Sequence, residues 1–518
     1  MVAALVLHGH FYQPPRENPL TGSIELEPSA HPFHNWNERI HHECYRANAA
    51  APIFNDSGEV EWVVNNYQHI SFNFGPTLLN WLERYHPLTY ASVIEADRES
   101  CRRRSGHGNA IAQGYNHSIL PLCNERDRRT QVRWGLTDFR HRFGRDPESL
   151  WLPETAANDE TLCVLIEEGL KYVILSPYQA EKIKPIGEQG WQTVADGSID
   201  TTLTYKYFHR DLSGRSIAVF FYDGQIAKSI AFDGILSSSK DLIDRFESRV
   251  KDGEQIISVA TDGESYGHHY RHGEMCLAYA LEVEAARRGL RITNYGEYLE
   301  RHPPEIEVEI KQGVNGEGTA WSCAHGLGRW TRDCSCHAGA PSSWNQSWRA
   351  PLRHALDYLR DEAGRHFESS GGDIFSDPWE ARDAYVELIV SPRHSAERFL
   401  RRFSRRSLLP AEQGRAIALL ELQRHSMLMY TSCGWFFNDI GGLETVQNLK
   451  YAGRVLGLMK ELDFPSPYKG FMELLAQAKS NLPKHGTGAD IYRQYVESSH
   501  SGSRSSAGSM SPSNDHYA

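Results

Sequence analysis

The sequence lacks a long apolar run, a concentrated basic face and an even set of cysteines. No hydrophobic stretch in its 518 residues approaches the length of a membrane span, so no membrane-spanning helix is predicted. The net charge of -11 argues against nucleic acid or an anionic membrane as the main partner. The opening segment, residues 1–7, is too short for a signal peptide and has no basic start, so none is predicted.

The nine cysteines are odd in number and scattered, unlike the framework of a secreted disulfide-rich protein. Together with the missing signal peptide, this predicts a cytoplasmic protein. Hydrophobic residues make up 40% and charged residues 23% of the chain, which is ordinary for a globular protein. The length predicts one large domain and a second one. Nothing in the sequence indicates an oligomeric state.

Aromatic residues and histidines are abundant, with 12 Trp, 24 Tyr and 25 His, and several cluster near the ends of predicted strands. The C–H faces of sugars pack on flat rings, while their hydroxyl groups need hydrogen bonds. Rings next to polar groups therefore favour a carbohydrate ligand.

Seven short apolar runs, each ending in polar or aromatic residues, are predicted to be strands: residues 3–7, 69–75, 110–117, 149–152, 171–177, 216–221 and 255–260. Several are joined by stretches long enough for parallel crossovers. Seven such strands favour a closed or nearly closed β/α barrel over residues 1–300. An open, doubly wound sheet is the main alternative.

The character of the chain changes at about residue 345. Strand-like runs end, and apolar residues recur at helical spacing in four later stretches: residues 348–363, 378–390, 415–429 and 444–462. An all-α domain is therefore predicted over residues 346–497, after an aromatic and cysteine-rich loop region at 301–345. The Ser/Gly-rich tail, residues 498–518, is predicted to be disordered.

Glu154 is the first candidate catalytic residue. It follows the predicted strand at 149–152 and precedes a helix over residues 161–170, for which Asn158 is a suitable N-cap. In β/α barrels, catalytic groups lie where strands end, because several strand ends meet there. The alternative interpretation is that Glu154 is an ordinary solvated glutamate.

A second stretch rich in carboxylates and histidines begins at Thr261, where the last predicted strand ends. It contains Asp262 and Glu264, followed by His268 and His269. These side chains could form a metal site. Alternatively, one carboxyl group could act as a general acid together with Glu154, since glycoside cleavage needs two carboxyl groups. A polar turn without function is the third possibility.

The third stretch combines cysteines, histidines and tryptophans. A Cys-x-His pattern at 323–325 and a Cys-x-Cys-His pattern at 334–337 could supply four zinc ligands. The spacing is not that of a common zinc knuckle, and Trp321 and Trp330 suit a sugar-binding loop. The prediction is therefore an aromatic site loop, with no metal and no cofactor.

The barrel motifs resemble those of glycoside hydrolase family 57, in the same order along the chain: His8-Gly9-His10-Phe11-Tyr12-Gln13-Pro14, Gln113-Gly114-Tyr115-Asn116-His117, Trp151-Leu152-Pro153-Glu154 and Thr261-Asp262-Gly263-Glu264. Residues 423–425 and 432–439 are similar to a subgroup that carries a helical domain of unknown function. The resemblance implies a (β/α)7 barrel followed by an all-α domain. It also implies an enzyme that cleaves or transfers α-glucan chains with retention of configuration.

By the same resemblance, Glu154 is the expected nucleophile and Asp262 the expected acid/base. Asp262 would have to be protonated at neutral pH, which requires a raised pKa. The predicted substrate-binding residues are His8, His10, Gln13, His117, Trp151, His268, Trp321, Trp330, Trp435 and Asp439.

Two other functions remain open at this stage. One is a metal-dependent hydrolase on a related barrel, with His8, His10, Asp262 and His268 as ligands. The other is a catalytically silent glycan-binding protein. For Trp435 and its aromatic neighbours, packing in the helical core is the alternative to a wall of the sugar-binding site.

Overall fold

The computed structural model describes residues 3–251, 255–391 and 395–498, so the predicted disordered tail lies outside it apart from Ser498. The chain divides into two compact units. The strand-containing unit comprises the chain up to Glu17, Ser23–Leu327 and Trp379–Phe403. The helical unit comprises Asn18–Gly22, Gly328–Pro378 and the described chain from Ser404 onward.

The strands, in chain order, are β1 (Ala4–Phe11), β2 (Ala51–Phe54), β3 (Val60–Val64), β4 (Ser71–Phe74), β5 (Ala112–Gln113), β6 (Leu150–Trp151), β7 (Tyr172–Leu175), β8 (Ala180–Pro185), β9 (Gln192–Thr193), β10 (Thr204–Phe208), β11 (Ser216–Phe221), β12 (Ile256–Asp262), β13 (Arg291–Ile292) and β14 (Ile306–Ile310). All seven predicted strands are present, as β1, β4, β5, β6, β7, β11 and β12.

These seven strands follow one another as parallel neighbours. β1 pairs with β12 on one side and with β4 on the other, while β5 pairs with β6 and β7 with β11. Parallel bridges from Phe72 to Ala110 and from Ser149 to Tyr172 connect these pairs. Because every strand runs in the same direction, their carboxyl ends lie at one edge.

The remaining strands were not predicted. β10 runs antiparallel to β11 and extends the sheet through β14 to β8 and β9. β2 and β3 form a separate antiparallel pair. Their sequences are more polar and partly exposed, so they lack the uniform apolar runs that identify buried parallel strands.

Helices connect the parallel strands: α1 (Trp36–Ile40), α2 (Arg46–Ala49), α3 (Pro76–Tyr85), α4 (Pro87–Arg103), α5 (Glu125–Phe143), α6 (Asp159–Glu167), α7 (Gly224–Phe232), α8 (Ser239–Glu247), α9 (Gly273–Tyr279), α10 (Ala285–Arg287) and α11 (Tyr295–Arg301). The predicted cap of α6 is present, since the Asn158 side chain accepts a hydrogen bond from the backbone N–H of Thr161 at 3.0 Å.

Beyond β14 the regular elements of the described chain are helices: α12 (Arg349–Ile374), α13 (Pro378–Ala384), α14 (Val386–Val390), α15 (Ala396–Phe403), α16 (Pro410–Leu428), α17 (Cys433–Phe436), α18 (Leu443–Glu461), α19 (Tyr468–Leu475) and α20 (Gly488–Tyr492). The four helices predicted here are present, although α12 continues eleven residues beyond the predicted end at residue 363, and the stretch at 378–390 is divided into α13 and α14. Residues 379–403, predicted within the helical domain, group with the strand-containing unit. Across the described residues, no helix is both long and apolar enough to cross a membrane.

Candidate active site

Glu154 lies in a strained turn at the carboxyl end of β6. Its φ is 60° and that of Thr155 is 49°, so two successive residues with side chains adopt the left-handed conformation. Such conformations cost free energy and persist where the surroundings fix them, often at functional sites. The turn directs the chain away from the sheet immediately after the buried Trp151.

The Glu154 carboxylate accepts two hydrogen bonds on the same oxygen. Trp321 donates from Nε1 to Oε2 at 3.0 Å, and the Ser322 hydroxyl donates to Oε2 at 2.6 Å. The backbone N–H of Trp321 also donates to the Glu154 carbonyl at 3.1 Å. Hydrogen bonds to a carboxylate favour its ionised form, so the arrangement suits a fixed anion.

A buried glutamine ties the segment that carries Trp321 to the Glu154 turn. Gln179 donates from Nε2 to the carbonyls of Thr155 and Thr319, at 2.8 and 3.1 Å. Its Oε1 accepts from the Thr155 hydroxyl at 2.9 Å. This network positions the donors to Glu154.

Asp262 is the last residue of β12 and pairs in register with His10 of β1. Its side chain is exposed to solvent. The protein groups that displace water around it, and then the charges of Glu264 and Glu154, raise the pKa of the Asp262 carboxyl well above its usual value. A Cβ atom at Gly263 would lie 2.3 Å from the buried Phe11 ring, so this close approach requires glycine.

A third carboxyl group, that of Glu264, is buried close to Asp262. It accepts hydrogen bonds from the Tyr45 hydroxyl at 2.7 Å and from the backbone N–H of Tyr12 at 3.4 Å. Burial raises the pKa of Glu264 to about 7, against the opposing effect of these donors and of Gln13. Gln13 therefore contacts Glu264, and it also accepts from Arg16 at 2.9 Å.

Asn73, from the end of β4, connects the histidines of β1. Its Oδ1 lies 3.0 Å from Nε2 of His8, and its Nδ2 lies 2.9 Å from Nδ1 of His10. Nε2 of His10 is in turn 3.0 Å from Nε2 of His117. Burial lowers the pKa of both His8 and His10 to about 3, and that of His117 well below its usual value. These three histidines are therefore neutral at physiological pH and can form hydrogen bonds with uncharged hydroxyl groups.

Trp151 stacks on these histidines. Its ring centroid lies 4.7 Å from that of His8 and 5.1 Å from that of His10, and the Trp321 ring meets it edge-on at 5.2 Å. Nε1 of Trp151 is buried and has no acceptor among the described residues. The structure thus brings together five predicted residues of this cluster: His8, His10, His117, Trp151 and Trp321.

His268 has other neighbours. Its Nδ1 forms a short contact with the Glu43 carboxylate, and its ring packs against Trp36 and His269. Among the described residues, no grouping of metal ligands contains His8, His10, Asp262 and His268 together. The geometry does not favour the metal-dependent alternative built on those four side chains.

The predicted site residues of the helical unit lie in its interior. Trp330 and Trp435 are both fully buried, and their Nε1 atoms donate to the carbonyls of Ser432 and Arg349, at 3.1 and 3.2 Å. Asp439 accepts from the backbone N–H of Asn481 at 2.6 Å and from the Ser480 hydroxyl. These contacts favour the packing alternative for Trp435, and they favour a packing role for Trp330 as well.

Sequence reasoning missed several residues of the site: Tyr12, Tyr45, Asn73, Gln179, Tyr222 and Ser322. Tyr222 is buried at the end of β11, and burial together with the Asp262 charge raises its pKa to about 12. Strand-end position was a usable signal for Asn73 and Tyr222. Ser322 carried no such signal, because nothing in the sequence places residue 322 next to residue 154.

The fold and site define a class: an α/β protein with two carboxyl groups and stacked aromatic rings at the ends of parallel strands. Residues 13–311, more than half of the chain, match the model of Glycosyl hydrolase family 57. The chain belongs to this family. Residues 344–511 match a domain of unknown function, DUF3536.

Curated relatives align with about half of the chain. The 4-alpha-glucanotransferase of Thermococcus litoralis is 23% identical over 259 residues, 49% of this chain and 36% of that protein. An alpha-amylase of Pyrococcus furiosus is 25% identical over 256 residues, 48% of this chain and 35% of that protein. The chain thus covers about a third of the length of these relatives.

Solved structures share the fold over most of the chain. An exo-type maltose-forming amylase from Pyrococcus sp. ST04 superposes with a TM-score of 0.70 at 15% identity, covering 98% of this chain and 94% of that one. A branching enzyme of the same family from Pyrococcus horikoshii gives a TM-score of 0.54 at 14% identity, covering 94% and 96%.

Proposed function

We propose that this protein hydrolyses or transfers α-glucan chains with retention of configuration, with Glu154 as nucleophile and Asp262 as acid/base. One observation carries the proposal: a carboxylate fixed by two donors lies near a carboxyl group that its charge helps to keep protonated. Retaining glycosidases need this pair of opposite protonation states.

In the first half of the reaction, an oxygen of Glu154 attacks the anomeric carbon and forms a glycosyl ester. The bond from that carbon to the leaving oxygen breaks, and the Asp262 proton moves to that oxygen. Trp321 and Ser322 hold Oε2 of Glu154, which fixes the orientation of the carboxylate for attack.

In the second half, the Asp262 carboxylate removes a proton from water or from a sugar hydroxyl. The oxygen so activated bonds to the anomeric carbon, and the ester bond to Glu154 breaks. Water gives hydrolysis and a sugar hydroxyl gives transfer. Two displacements at one carbon restore the original configuration.

We infer that Trp151 and the neutral histidines bind the glucan next to the reacting bond. The buried Nε1 of Trp151 lacks an acceptor among the described residues, and a sugar hydroxyl would supply one. His10 and His117 are neutral, so each can donate one hydrogen bond and accept another.

We also infer that the seven parallel strands close into a (β/α)7 barrel. The supporting contact is a hydrogen bond of 2.7 Å from the backbone N–H of Asp223, just after β11, to the carbonyl of Ser258 in β12. This bond connects β11 with β12, the two outermost strands in the series of parallel neighbours. A crystal structure with β11 and β12 far apart would contradict the closure.

Incubation with maltooligosaccharides, glycogen and starch, followed by separation of products by length, tests the activity. Chains longer than the donor indicate transfer, and only shorter ones indicate hydrolysis. Proton NMR of the first-formed product should show the anomer of the substrate. An inverted anomer would exclude Glu154 as the nucleophile, and glucan binding without any product would favour the catalytically silent alternative.

A further inference from the structure

An exposed aromatic side chain lies just beyond the carboxyl end of β7, next to the candidate active site. Tyr178 is 65% exposed and comes three residues after the end of β7. β7 and β11 are parallel neighbours, in which Leu175 pairs in register with Phe221. Tyr178 therefore lies at the same edge as Tyr222, the residue that follows β11. Single exposed aromatic residues are common on protein surfaces, so the surroundings of Tyr178 decide its role.

The backbone around Tyr178 is fixed to the turn that carries Glu154. The next residue, Gln179, is buried, and its Nε2 donates to the Thr155 carbonyl at 2.8 Å. Oε1 of Gln179 accepts from the Thr155 hydroxyl and from the backbone N–H of Ser176, both at 2.9 Å. The same side chain thus holds the segment of Tyr178 and the turn of the proposed nucleophile in one arrangement.

The ring of Tyr178 is held by neighbouring backbone. A Cβ atom at Gly197 would lie 2.7 Å from the ring, and φ at Gly197 is 86°, so both the close approach and the conformation require glycine. A Cβ atom at Gly224, the first residue of α7, would lie 4.0 Å from the ring. Backbone therefore supports part of the ring while most of the side chain is open to solvent. A ring that is fixed and exposed in this way can pack against the C–H face of a sugar.

Tyr178 is the exposed end of a series of aromatic side chains that begins at the catalytic pair. Trp321, which donates to Glu154, meets the Tyr222 ring edge-on with 6.3 Å between the centroids. Burial is the main cause of the raised pKa of Tyr222, and the charges of Asp262 and Tyr178 add to it, so both groups lie near its hydroxyl. A glucan bound at the catalytic pair can therefore continue past Tyr222 to Tyr178.

We infer that Tyr178 is a stacking surface for a further glucose unit of the α-glucan, outside the units held between Glu154 and Asp262. This inference rests on the proposed function. Tyr178 takes no part in the chemistry, and its ring would contribute affinity only for chains long enough to reach it. The site would therefore select for long α-glucan chains.

The test measures the affinity for maltooligosaccharides, from maltose to maltoheptaose, by isothermal titration calorimetry. The parent protein is the full chain with Glu154→Gln, so that turnover does not consume the ligands. Adding Tyr178→Ala should weaken binding of maltoheptaose by roughly 10-fold, as for an aromatic contact at the centre of a binding surface. Binding of maltose should weaken far less. Tyr178→Phe keeps the ring and should retain most of the affinity.

Phe232→Ala in the same parent is the matched control. Phe232 is 79% exposed and is the last residue of α7, the helix that begins at Gly224. It is therefore an exposed ring at the opposite end of that helix from Tyr178, and its loss should leave the affinities at all chain lengths unchanged. Thermal unfolding identifies any variant that has lost structure.

The outcomes separate this inference from the proposed function. A loss in Tyr178→Ala that grows with chain length, and is absent in Phe232→Ala, supports the stacking role. Unchanged affinity for maltoheptaose in Tyr178→Ala would overturn the inference and leave the proposed function in place. An equal loss at every chain length would also overturn it, because Tyr178 would then shape the catalytic site and contact no distant unit. If neither the parent nor the wild type binds any maltooligosaccharide, the proposed function fails and the inference fails with it.

Discussion

The predicted sugar-binding tryptophans have different surroundings in the two units of the molecule. In the strand-containing unit, Trp321 donates its indole N–H to a carboxylate, and that of Trp151 has no acceptor among the described residues. In the helical unit, Trp330 and Trp435 are fully buried and donate to backbone carbonyls.

The difference shows how to separate packing residues from site residues when both are aromatic. A buried indole whose N–H is satisfied by the backbone has completed its interactions within the core. An indole that donates to the carboxylate of the proposed nucleophile can orient that group. An indole whose buried N–H has no acceptor can still donate to a ligand. The sequence analysis placed all four tryptophans among the predicted sugar-binding residues and left packing open as the alternative for Trp435.

The largest expected effect is that of Glu154→Gln. The amide cannot attack the anomeric carbon, so kcat on maltooligosaccharides should fall by at least about 10³-fold, as for loss of a nucleophile. Glu160→Gln is a matched control, since Glu160 is exposed at the start of α6 and should be silent. A Glu154→Gln variant with more than a tenth of wild-type activity would contradict the nucleophile assignment.

Asp262→Asn should have the next largest effect. Loss of a general acid costs about 10²- to 10⁴-fold in rate on substrates with poor leaving groups, and far less on activated aryl glycosides. The pKa of Asp262 is raised, so the proton is present well above the usual range of a carboxyl group and is lost as pH rises through that pKa. In a pH–rate profile, the wild-type rate should therefore fall on the alkaline side, and this alkaline decrease should disappear in Asp262→Asn.

Trp435→Ala sharpens the comparison between the two units. Removal of a fully buried tryptophan costs about 3–5 kcal/mol of stability, and the Arg349 carbonyl also loses its donor. We expect a large loss in urea denaturation, with KM for long glucans unchanged in the folded fraction. Weaker glucan binding at unchanged stability would instead restore Trp435 to the sugar-binding site.

The parallel strands were predictable because their apolar runs are buried on both faces. β1, β11 and β12 were found within a few residues. β8, β10 and β14 were missed because polar and partly exposed residues interrupt them, and their pairing depends on contacts distant in sequence. The split between α13 and α14 at Tyr385 likewise leaves no strong mark in the periodicity.

For the candidate site, the predicted strand ends identified residues that lie close together, but they did not identify the individual contacts. His10 and Asp262 end adjacent strands and were both named, whereas Ser322 reaches Glu154 from a loop of irregular structure. Loop geometry depends on tertiary contacts such as those of Gln179 and has no period to detect.

Ser322→Ala should have a smaller effect than loss of either carboxyl group. A hydrogen bond to a charged group contributes about 1.5–3 kcal/mol, which corresponds to roughly 10- to 150-fold in kcat. Trp321→Phe, which removes the N–H but keeps a ring, should behave similarly, whereas Ser322→Thr keeps the hydroxyl and should recover most of the rate. If KM rises at constant kcat, these residues bind sugar and do not orient Glu154.

The smallest expected effect is a shift of the pH profile in Glu264→Gln. After the displacement of water by neighbouring protein groups, the negative charge of Glu264 is the next cause of the raised pKa of Asp262. Glutamine removes this charge, keeps the size of the side chain and can still accept from Tyr45. The pKa of Asp262 should fall, so the alkaline limb of kcat/KM should move to lower pH while the rate at the optimum changes little.

The acidic limb provides the internal control for this shift. It reports ionisation of the nucleophile, so it should stay in place in Glu264→Gln if the substitution acts on Asp262 alone. The pKa of Glu264 is itself raised to about 7, so its charge is present only on the alkaline side, where the shift is expected. Glu160→Gln should leave both limbs unchanged. An alkaline limb that stays in place or moves to higher pH in Glu264→Gln would mean that Glu264 is uncharged during catalysis. The displacement of water around Asp262 by neighbouring protein groups, and not the charge of Glu264, would then keep Asp262 protonated.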